Sequence, residues 1–97
     1  MNRKRATGTL ASVRRRIDGL DIALLRLINQ RARLALEIGR IKKRRKWPVF
    51  DGRREAFVLR HVTRANRGPL STRAVRHVFQ AILCECRRRE RDRKRRS

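Results

Sequence analysis

The residues of this chain most able to do chemistry are those whose charge interrupts its hydrophobic pattern. Between Leu10 and Ile41, apolar residues recur at alternating spacings of three and four, and one position of that series holds Arg31 instead. An unpaired charge in a buried helical face costs on the order of several kcal/mol. Arg31 therefore binds an anionic ligand, forms a core ion pair with Glu55 or Glu90, or is exposed at a fraying edge.

Other charged residues lie where they could act on the same anion. Arg14 and Lys42 flank the apolar stripe, and Glu90 continues the apolar face of the last helical segment. Each also has a plainer interpretation: Arg14 and Lys42 as solvated surface charges, and Glu90 as the partner of an arginine on its own helix, worth only about 0.3–0.5 kcal/mol. Asp51 fits an N-cap, and Glu55 fits a first-turn acid that complements the helix dipole.

The composition narrows the classes of partner. The 97 residues include 30 basic and 8 acidic side chains, which give a formal net charge of +22. This imbalance indicates an anionic partner: a nucleic acid, a membrane surface or a small acidic substrate. No stretch approaches the roughly 18–20 apolar residues of a membrane span, and the basic start lacks the apolar core of a signal peptide. The sequence shows no phosphate-binding loop, so we predict no cofactor.

The cysteines and histidines indicate neither a disulfide nor a metal site. Cys84 and Cys86 are two residues apart in a helical segment, so they point to opposite sides and an intrachain disulfide is not expected. Reduced cysteines are typical of a cytoplasmic protein, which is the location we predict. His61 and His77 have no spacing that would place them with the cysteines around a metal ion.

Three helical segments have to position these residues. The first runs from Leu10 to Lys46, with Thr7 or Thr9 as its cap and Pro48 forcing its end. Its regularly spaced apolar positions form a coiled-coil-like stripe, here called the seam. The seam consists of Leu10, Val13, Ile17, Leu20, Leu24, Leu27, Leu34, Ile38 and Ile41.

The second and third segments are shorter. The second begins at Asp51 and ends near Arg64, before the helix-breaking residues 66–69. Ser71 caps the third, whose apolar stripe leads to Glu90 and is followed by a basic tail expected to fray. The buried stripes predicted are Val58 or Leu59, Val62 and Ala65 in the second, and Val75, Val78 or Phe79, Ile82 or Leu83, and Cys86 in the third.

No alternating strand pattern appears, so we predict an all-α fold with one long, one short and one medium helix. It forms a single domain, residues 1–97, with basic termini at about 1–9 and 91–97. At 1.5 Å per residue the first helix is roughly 55 Å long, whereas a compact chain of this size is about 30 Å across. The seam therefore needs a second chain to cover it, and we predict a homodimer.

Four segments together resemble the all-helical chorismate mutases, over nearly the whole chain from Leu10 to Glu90. The likeness is greatest to the mutase domain at the front of bacterial chorismate mutase–prephenate dehydratase fusions. Any one segment is a weak signal, and their order and spacing make the resemblance specific. The segments are VRRRIDGLDIALLRLINQR (13–31), LALEIGRIK (34–42), PVFDGRRE (48–55) and GPLSTRAVRHVFQAILCECRRRE (68–90).

The resemblance implies an enzyme that rearranges chorismate to prephenate in phenylalanine and tyrosine biosynthesis, inside an intertwined homodimer. It implies that Arg31 and the partner subunit's Arg14 hold the two carboxylates of the substrate. Lys42 would reach a carboxylate and the ether oxygen, and Glu90, where family members have Gln or Glu, would face the same oxygen. Cys86 falls where some members have a serine near a carboxylate. Further substrate-binding positions implied at the start of the second helix are Asp51, Arg54 and Glu55.

The length of the first helix agrees with a site shared between two chains. Arg14 and Lys42 are 28 residues apart, or about 42 Å along one helix, so they cannot serve the same ligand within one chain. Two antiparallel copies would bring Arg14 of one chain beside the region from Arg31 to Lys42 of the other. An arginine contributed across the interface is therefore what the helix length requires.

Two other functions stay open at this point. One is an isochorismate pyruvate lyase, since such lyases resemble the all-helical mutases in fold and in pocket. The other is a basic helical protein that binds nucleic acid, which the charge favours, and the charge also indicates nonspecific polyanion binding. Against nucleic-acid binding, the chain has few aromatic side chains to stack on bases, namely Trp47, Phe50, Phe57 and Phe79.

Overall fold

A computed structural model of the chain describes residues 8–96, with side chains described as far as Arg91. It contains three α-helices, which are α1 (Leu10–Arg45), α2 (Gly52–Ala65) and α3 (Thr72–Arg96). These residues include no β-strand, and the predicted all-α class with one long, one short and one medium helix is confirmed. None of the helices in this range is long and apolar enough to cross a membrane.

Each helix begins at a side-chain cap that the sequence predicted. Thr9, Asp51 and Ser71 precede the three helices, and each side-chain oxygen accepts a hydrogen bond from the backbone N–H three residues later, at 3.0–3.1 Å. Such a cap stabilises a helix by typically about 1 kcal/mol. Thr7, the alternative cap for α1, lies outside the described residues.

The turn that ends α1 also prepares the site. Lys46 adopts a left-handed backbone conformation with φ 58°. The N–H of Trp47 donates to the Lys42 carbonyl at 2.9 Å, and the N–H of Lys46 donates to the Lys43 carbonyl at 3.2 Å. This pair of bonds is a Schellman motif, which satisfies the last carbonyls of the helix. Because Pro48 follows directly, the chain cannot re-enter the helix and turns back towards α2.

The third helix is longer than the sequence predicted. Its backbone remains helical to Arg96, beyond Glu90, where we expected a frayed basic tail. Arginine and lysine are good helix formers, and no glycine or proline follows Glu90 to end the helix. Most of the predicted basic termini, namely residues 1–7 and the side chains of 92–97, lies outside the described part of the chain.

The chain divides into two compact units, residues up to Gln30 and residues from Arg31 onwards. In the first unit the described residues form the first part of α1, and the seam residues there are exposed, Leu20 at 68%. In the second unit the seam residues of α1 are also exposed, namely Leu34, Ile38 and Ile41. The seam predicted to need a partner is therefore uncovered in a single chain.

The second unit has a small core of its own. It contains the buried residues Ala35, Val58, Val75, Leu83 and Cys86. The predicted stripes of α2 and α3 are confirmed at the last four of these positions. Ala65 is exposed, so its predicted burial is wrong: it is the final residue of α2, where the helix ends.

Candidate active site

The second unit encloses a pocket of about 210 Å³, to which α1, the connection between α1 and α2, α2 and α3 all contribute. Seven of the predicted site residues line it: Arg31, Lys42, Asp51, Arg54, Glu55, Cys86 and Glu90. Arg14 is not among the residues that line it, and it lies in the other unit, on the first part of α1. The sequence therefore predicted every ionisable residue of the pocket except Arg87.

The charged centre of the pocket is an ion pair between α1 and α3. The Nζ atom of Lys42 lies 2.8 Å from Oε1 of Glu90, and both side chains are largely buried, at 14% and 13% exposure. The same Nζ donates to the carbonyl of Val49 at 2.6 Å. An ammonium group has three donors, so these two contacts fix its position and leave one donor for a ligand.

The ion pairs of the pocket exclude two of the plainer interpretations that the sequence allowed, namely an intrahelical partner for Glu90 and a core ion pair for Arg31. Glu90 pairs with Lys42 of another helix, and not with an arginine of α3. Glu55 pairs with Arg87, so neither acid is the partner of Arg31. Within the described residues, Arg31 is half-buried and forms no hydrogen bond or ion pair. A half-buried guanidinium without a counter-ion is available to pair with an anionic ligand.

The start of α2 forms another edge of the pocket. Oδ1 of Asp51 accepts the N–H of Arg54 at 3.1 Å, so Asp51 is the N-cap that its plainer interpretation predicted, and it also lines the pocket. The guanidinium of Arg54 lies over the ring of Phe57, 5.2 Å from its centroid, and forms no ion pair with any described residue. Backbone N–H groups at a helix N-terminus also favour negative charge.

Arg87 is a pocket residue that the sequence analysis did not single out. Its Nη1 lies 2.7 Å from Oε2 of Glu55, and its guanidinium carbon lies 5.3 Å from the centroid of the Phe50 ring. A signal for it was present: Arg87 stands four residues after Leu83 and three before Glu90, so it shares their helix face. It stands in the run of arginines 87–89, and the run by itself does not indicate which member faces the pocket; Arg88, for example, is exposed and pairs with Glu85 of its own helix.

Gly39 is a second residue that the sequence analysis missed. A Cβ atom at this position would lie 2.9 Å from both the Cα and the carbonyl oxygen of Glu90, closer than packed atoms allow. The absence of a side chain thus lets α1 and α3 approach closely, one turn before Lys42. A glycine inside a helix costs about 1 kcal/mol relative to alanine, and such a glycine often has a packing reason.

Cys86 is buried and lines the pocket, whereas Cys84 is half-buried. Both thiols are free, as the helical spacing predicted. Among the described residues, no group of three or more histidine, cysteine, aspartate or glutamate side chains could hold a metal ion. The pocket combines guanidinium and ammonium groups, which can bind a small anion, with the Glu90 carboxyl group beside Lys42.

Comparison with known proteins is consistent with this site. The family described as chorismate mutase type II matches residues 13–91. A bifunctional chorismate mutase/prephenate dehydratase of Pseudomonas aeruginosa is 42% identical over 82 residues, which are 79% of this chain and 22% of that protein. Proteins of the same description from Stutzerimonas stutzeri and Neisseria gonorrhoeae are 39% and 38% identical over 83 and 73 residues, 79% and 75% of this chain. The chain spans about a fifth of the length of these curated relatives, 22% and 20% of the last two.

Proposed function

Because the chain belongs to the chorismate mutase type II family, we propose that it rearranges chorismate to prephenate within a homodimer. The observation that carries this proposal is the unpaired, half-buried Arg31 in the same pocket as the Lys42–Glu90 pair. Together they offer one site for a carboxylate and one for an oxygen that gains negative charge. Prephenate would then serve phenylalanine and tyrosine synthesis. We place the reaction in the cytoplasm, where thiols such as those of the two free cysteines stay reduced.

The reaction is a concerted [3,3] rearrangement, so the protein supplies geometry and charge and no nucleophile. Holding the ene-pyruvyl arm over the ring converts a rare conformer of the substrate into the bound one. Arg31 and Arg54 are free to bind carboxylate oxygens as two-pronged donors, because neither guanidinium is paired with a protein acid within the described residues. Glu55 and Asp51 line the side of the pocket where a substrate hydroxyl would be held.

Lys42 and Glu90 would act on the ether oxygen. As the ether bond breaks, negative charge grows on this oxygen, and donors that already point at it stabilise the transition state more than the ground state. Lys42 is anchored by Glu90 and the Val49 carbonyl, so it loses little freedom when it donates. An ether oxygen only accepts hydrogen bonds, so Glu90 has to carry a proton in order to donate to it.

A second copy of the chain would complete the site. The exposed seam supports such a partner, because exposed apolar patches of this extent mark protein–protein contacts. The 28 residues from Arg14 to Lys42 correspond to about 42 Å of ideal helix, so Arg14 would serve the pocket of the partner chain and not its own. In a symmetric dimer each pocket would then receive one arginine from the other chain.

The direct test follows chorismate by absorbance with the purified chain, and identifies the product, with no metal or cofactor added. We expect conversion to prephenate, and we expect Arg31→Ala to lower kcat/KM by about thirtyfold or more, which corresponds to the loss of a buried charged contact. An exposed arginine of α2, Arg53, provides the matched control, and Arg53→Ala should retain activity. The proposal fails if chorismate is stable, or if the protein instead releases pyruvate from isochorismate and leaves chorismate unchanged.

A further inference from the structure

The pair formed by Arg87 and Glu55 has no role in the function proposed so far. It joins the first turn of α2 to α3 through a contact of 2.7 Å, with both side chains about one-quarter exposed. The guanidinium also lies over Phe50, in the connection that leads from α1 to α2. Arg87 therefore contacts two of the segments that border the pocket, and it lines the pocket itself.

The charge balance of the pocket depends on Arg87. Four basic side chains and three acidic ones line it. The basic residues are Arg31, Lys42, Arg54 and Arg87, and the acidic residues are Asp51, Glu55 and Glu90. Without Arg87, Glu55 would have no cationic partner and would face a dicarboxylate substrate as an unpaired negative charge. Like charges in a poorly solvated pocket repel strongly, so an unpaired Glu55 would weaken substrate binding.

The geometry leaves Glu55 with a free acceptor. Arg87 binds Oε2, and within the described residues no hydrogen bond is formed by Oε1. A carboxylate whose one oxygen is held by a guanidinium has a defined orientation, and its other oxygen can accept a hydrogen bond from a hydroxyl. The arrangement suits a ligand that carries both carboxylates and a hydroxyl group.

We propose that Arg87 is a positioning residue of the active site: it neutralises Glu55 and orients its carboxylate so that Oε1 accepts the hydroxyl group of the substrate. This inference rests on the proposed function, because it assigns the substrate hydroxyl to Glu55. Arg87 acts through Glu55 and does not contact the reacting atoms. Its effect on the reaction should therefore disappear when Glu55 no longer carries a charge.

A double-mutant cycle tests this dependence. Wild type, Arg87→Met, Glu55→Gln and the double variant are compared for kcat, KM and melting temperature. Methionine retains an unbranched side chain that can pack on Phe50, so the substitution removes mainly the charge and the hydrogen bond. We expect Arg87→Met to lower kcat/KM about tenfold when Glu55 is present, and by less than about twofold when it is added to the Glu55→Gln variant, since directly paired residues are energetically coupled.

Two further variants separate positioning from general charge and from packing. Arg88→Met removes the same charge one residue along α3, from a side chain that is 60% exposed, and should change kcat/KM by less than about twofold. Arg87→Lys keeps the charge and one donor to Glu55, and should recover part of the loss caused by Arg87→Met. Equal losses of kcat/KM with and without the Glu55→Gln substitution, or no loss at all, would overturn the inference. Inactivity of the wild type towards chorismate would instead overturn the proposed function.

Discussion

Residues 10–30 and residues 31–91 differ in how their side chains are partnered. In the first region the seam is exposed, and no charged side chain forms an ion pair with another described residue. In the second region two ion pairs join different helices, Lys42 with Glu90 and Arg87 with Glu55, around a small apolar core. The second region thus combines ion pairs, a core and a pocket, whereas the first presents an exposed apolar surface.

Two glycines of α1 show the same difference. Gly39, in the second region, faces the backbone of Glu90 so closely that a methyl group would collide with it. Gly19, in the first region, has nothing within 4 Å of the position where a Cβ would stand. One glycine is required by a contact between helices, and the other has no such requirement in a single chain. The two regions can therefore be tested with matched substitutions.

The largest effect is expected from substituting Arg14 of the first region and Arg31 of the second region in different chains. Arg14→Ala and Arg31→Ala should each lower kcat/KM by an amount equivalent to about 2–5 kcal/mol, as expected for a buried contact between charges. If the two variants are unfolded and refolded together, random pairing makes half of the dimers mixed, and each mixed dimer has one intact site. Activity should therefore return to about a quarter of the wild-type value.

The recovery is measured as chorismate turnover against each variant refolded alone. If mixing restores no activity, both arginines act on the pocket of the same chain, and the first region does not serve the partner. Sedimentation of the wild type at micromolar concentration provides an independent check. A folded, active monomer would contradict the shared site.

The next largest effect is expected at Glu90. Glu90→Ala should lower kcat by an amount equivalent to about 2.7–4 kcal/mol, the usual effect of removing one donor aimed at developing charge. Glu90→Gln supplies a permanent donor of similar shape, so it should retain substantial activity.

Glu85 provides the control, because it is exposed on the same helix and, among the residues with described side chains, forms an ion pair with Arg88 alone. Glu85→Gln should leave the rate of the wild type unchanged. A loss of kcat in Glu90→Gln as large as that in Glu90→Ala would show that Glu90 does not act as a hydrogen-bond donor. Its pairing with Lys42 would then be structural.

A smaller effect, of opposite sign in the two regions, is expected at the glycines. Gly39→Ala should force α1 and α3 apart and destabilise the protein by about 1–3 kcal/mol, as overpacking does. It should also lower kcat, because it displaces Glu90 from Lys42. Gly19→Ala should instead stabilise the protein by about 0.5–1 kcal/mol, through the better helix propensity of alanine.

Denaturant unfolding of both variants measures these changes, with turnover as the second reading. A destabilising Gly19→Ala would mean that the partner chain occupies the space beside Gly19. A Gly39→Ala variant with wild-type stability and rate would mean that the close approach of the helices is not required for the site.

The smallest effect is expected at the end of α1. Lys46 holds a φ of 58°, which glycine adopts without steric cost, so Lys46→Gly should stabilise the protein by about 0.5–1 kcal/mol. Arg44 provides the comparison, because it is exposed in the last turn of α1 and its backbone is helical. Arg44→Gly should therefore destabilise the helix by about 1 kcal/mol. Thermal unfolding compares the two, and equal effects would refute the account of the turn.

Much of this fold could be predicted from residues whose effects are local. Thr9, Asp51 and Ser71 cap helices because their side chains reach N–H groups three residues away, so chain neighbours alone decide the outcome. Periodicity likewise identified the seam and the odd position of Arg31, because a helix brings every third or fourth residue to one face. Local rules erred at the ends of elements, where Ala65 is exposed and α3 continues to Arg96.

The sequence by itself thus determined the number and order of the helices and which residues carry unusual charge. Only the tertiary structure decided which charges meet: Glu90 with Lys42, 48 positions apart, and Glu55 with Arg87, 32 positions apart. Several basic residues compete for each acid in a chain with 30 basic and 8 acidic side chains, so composition cannot select the partner. The selection depends on how closely two helices approach. At Gly39, α1 and α3 approach closely because glycine has no side chain.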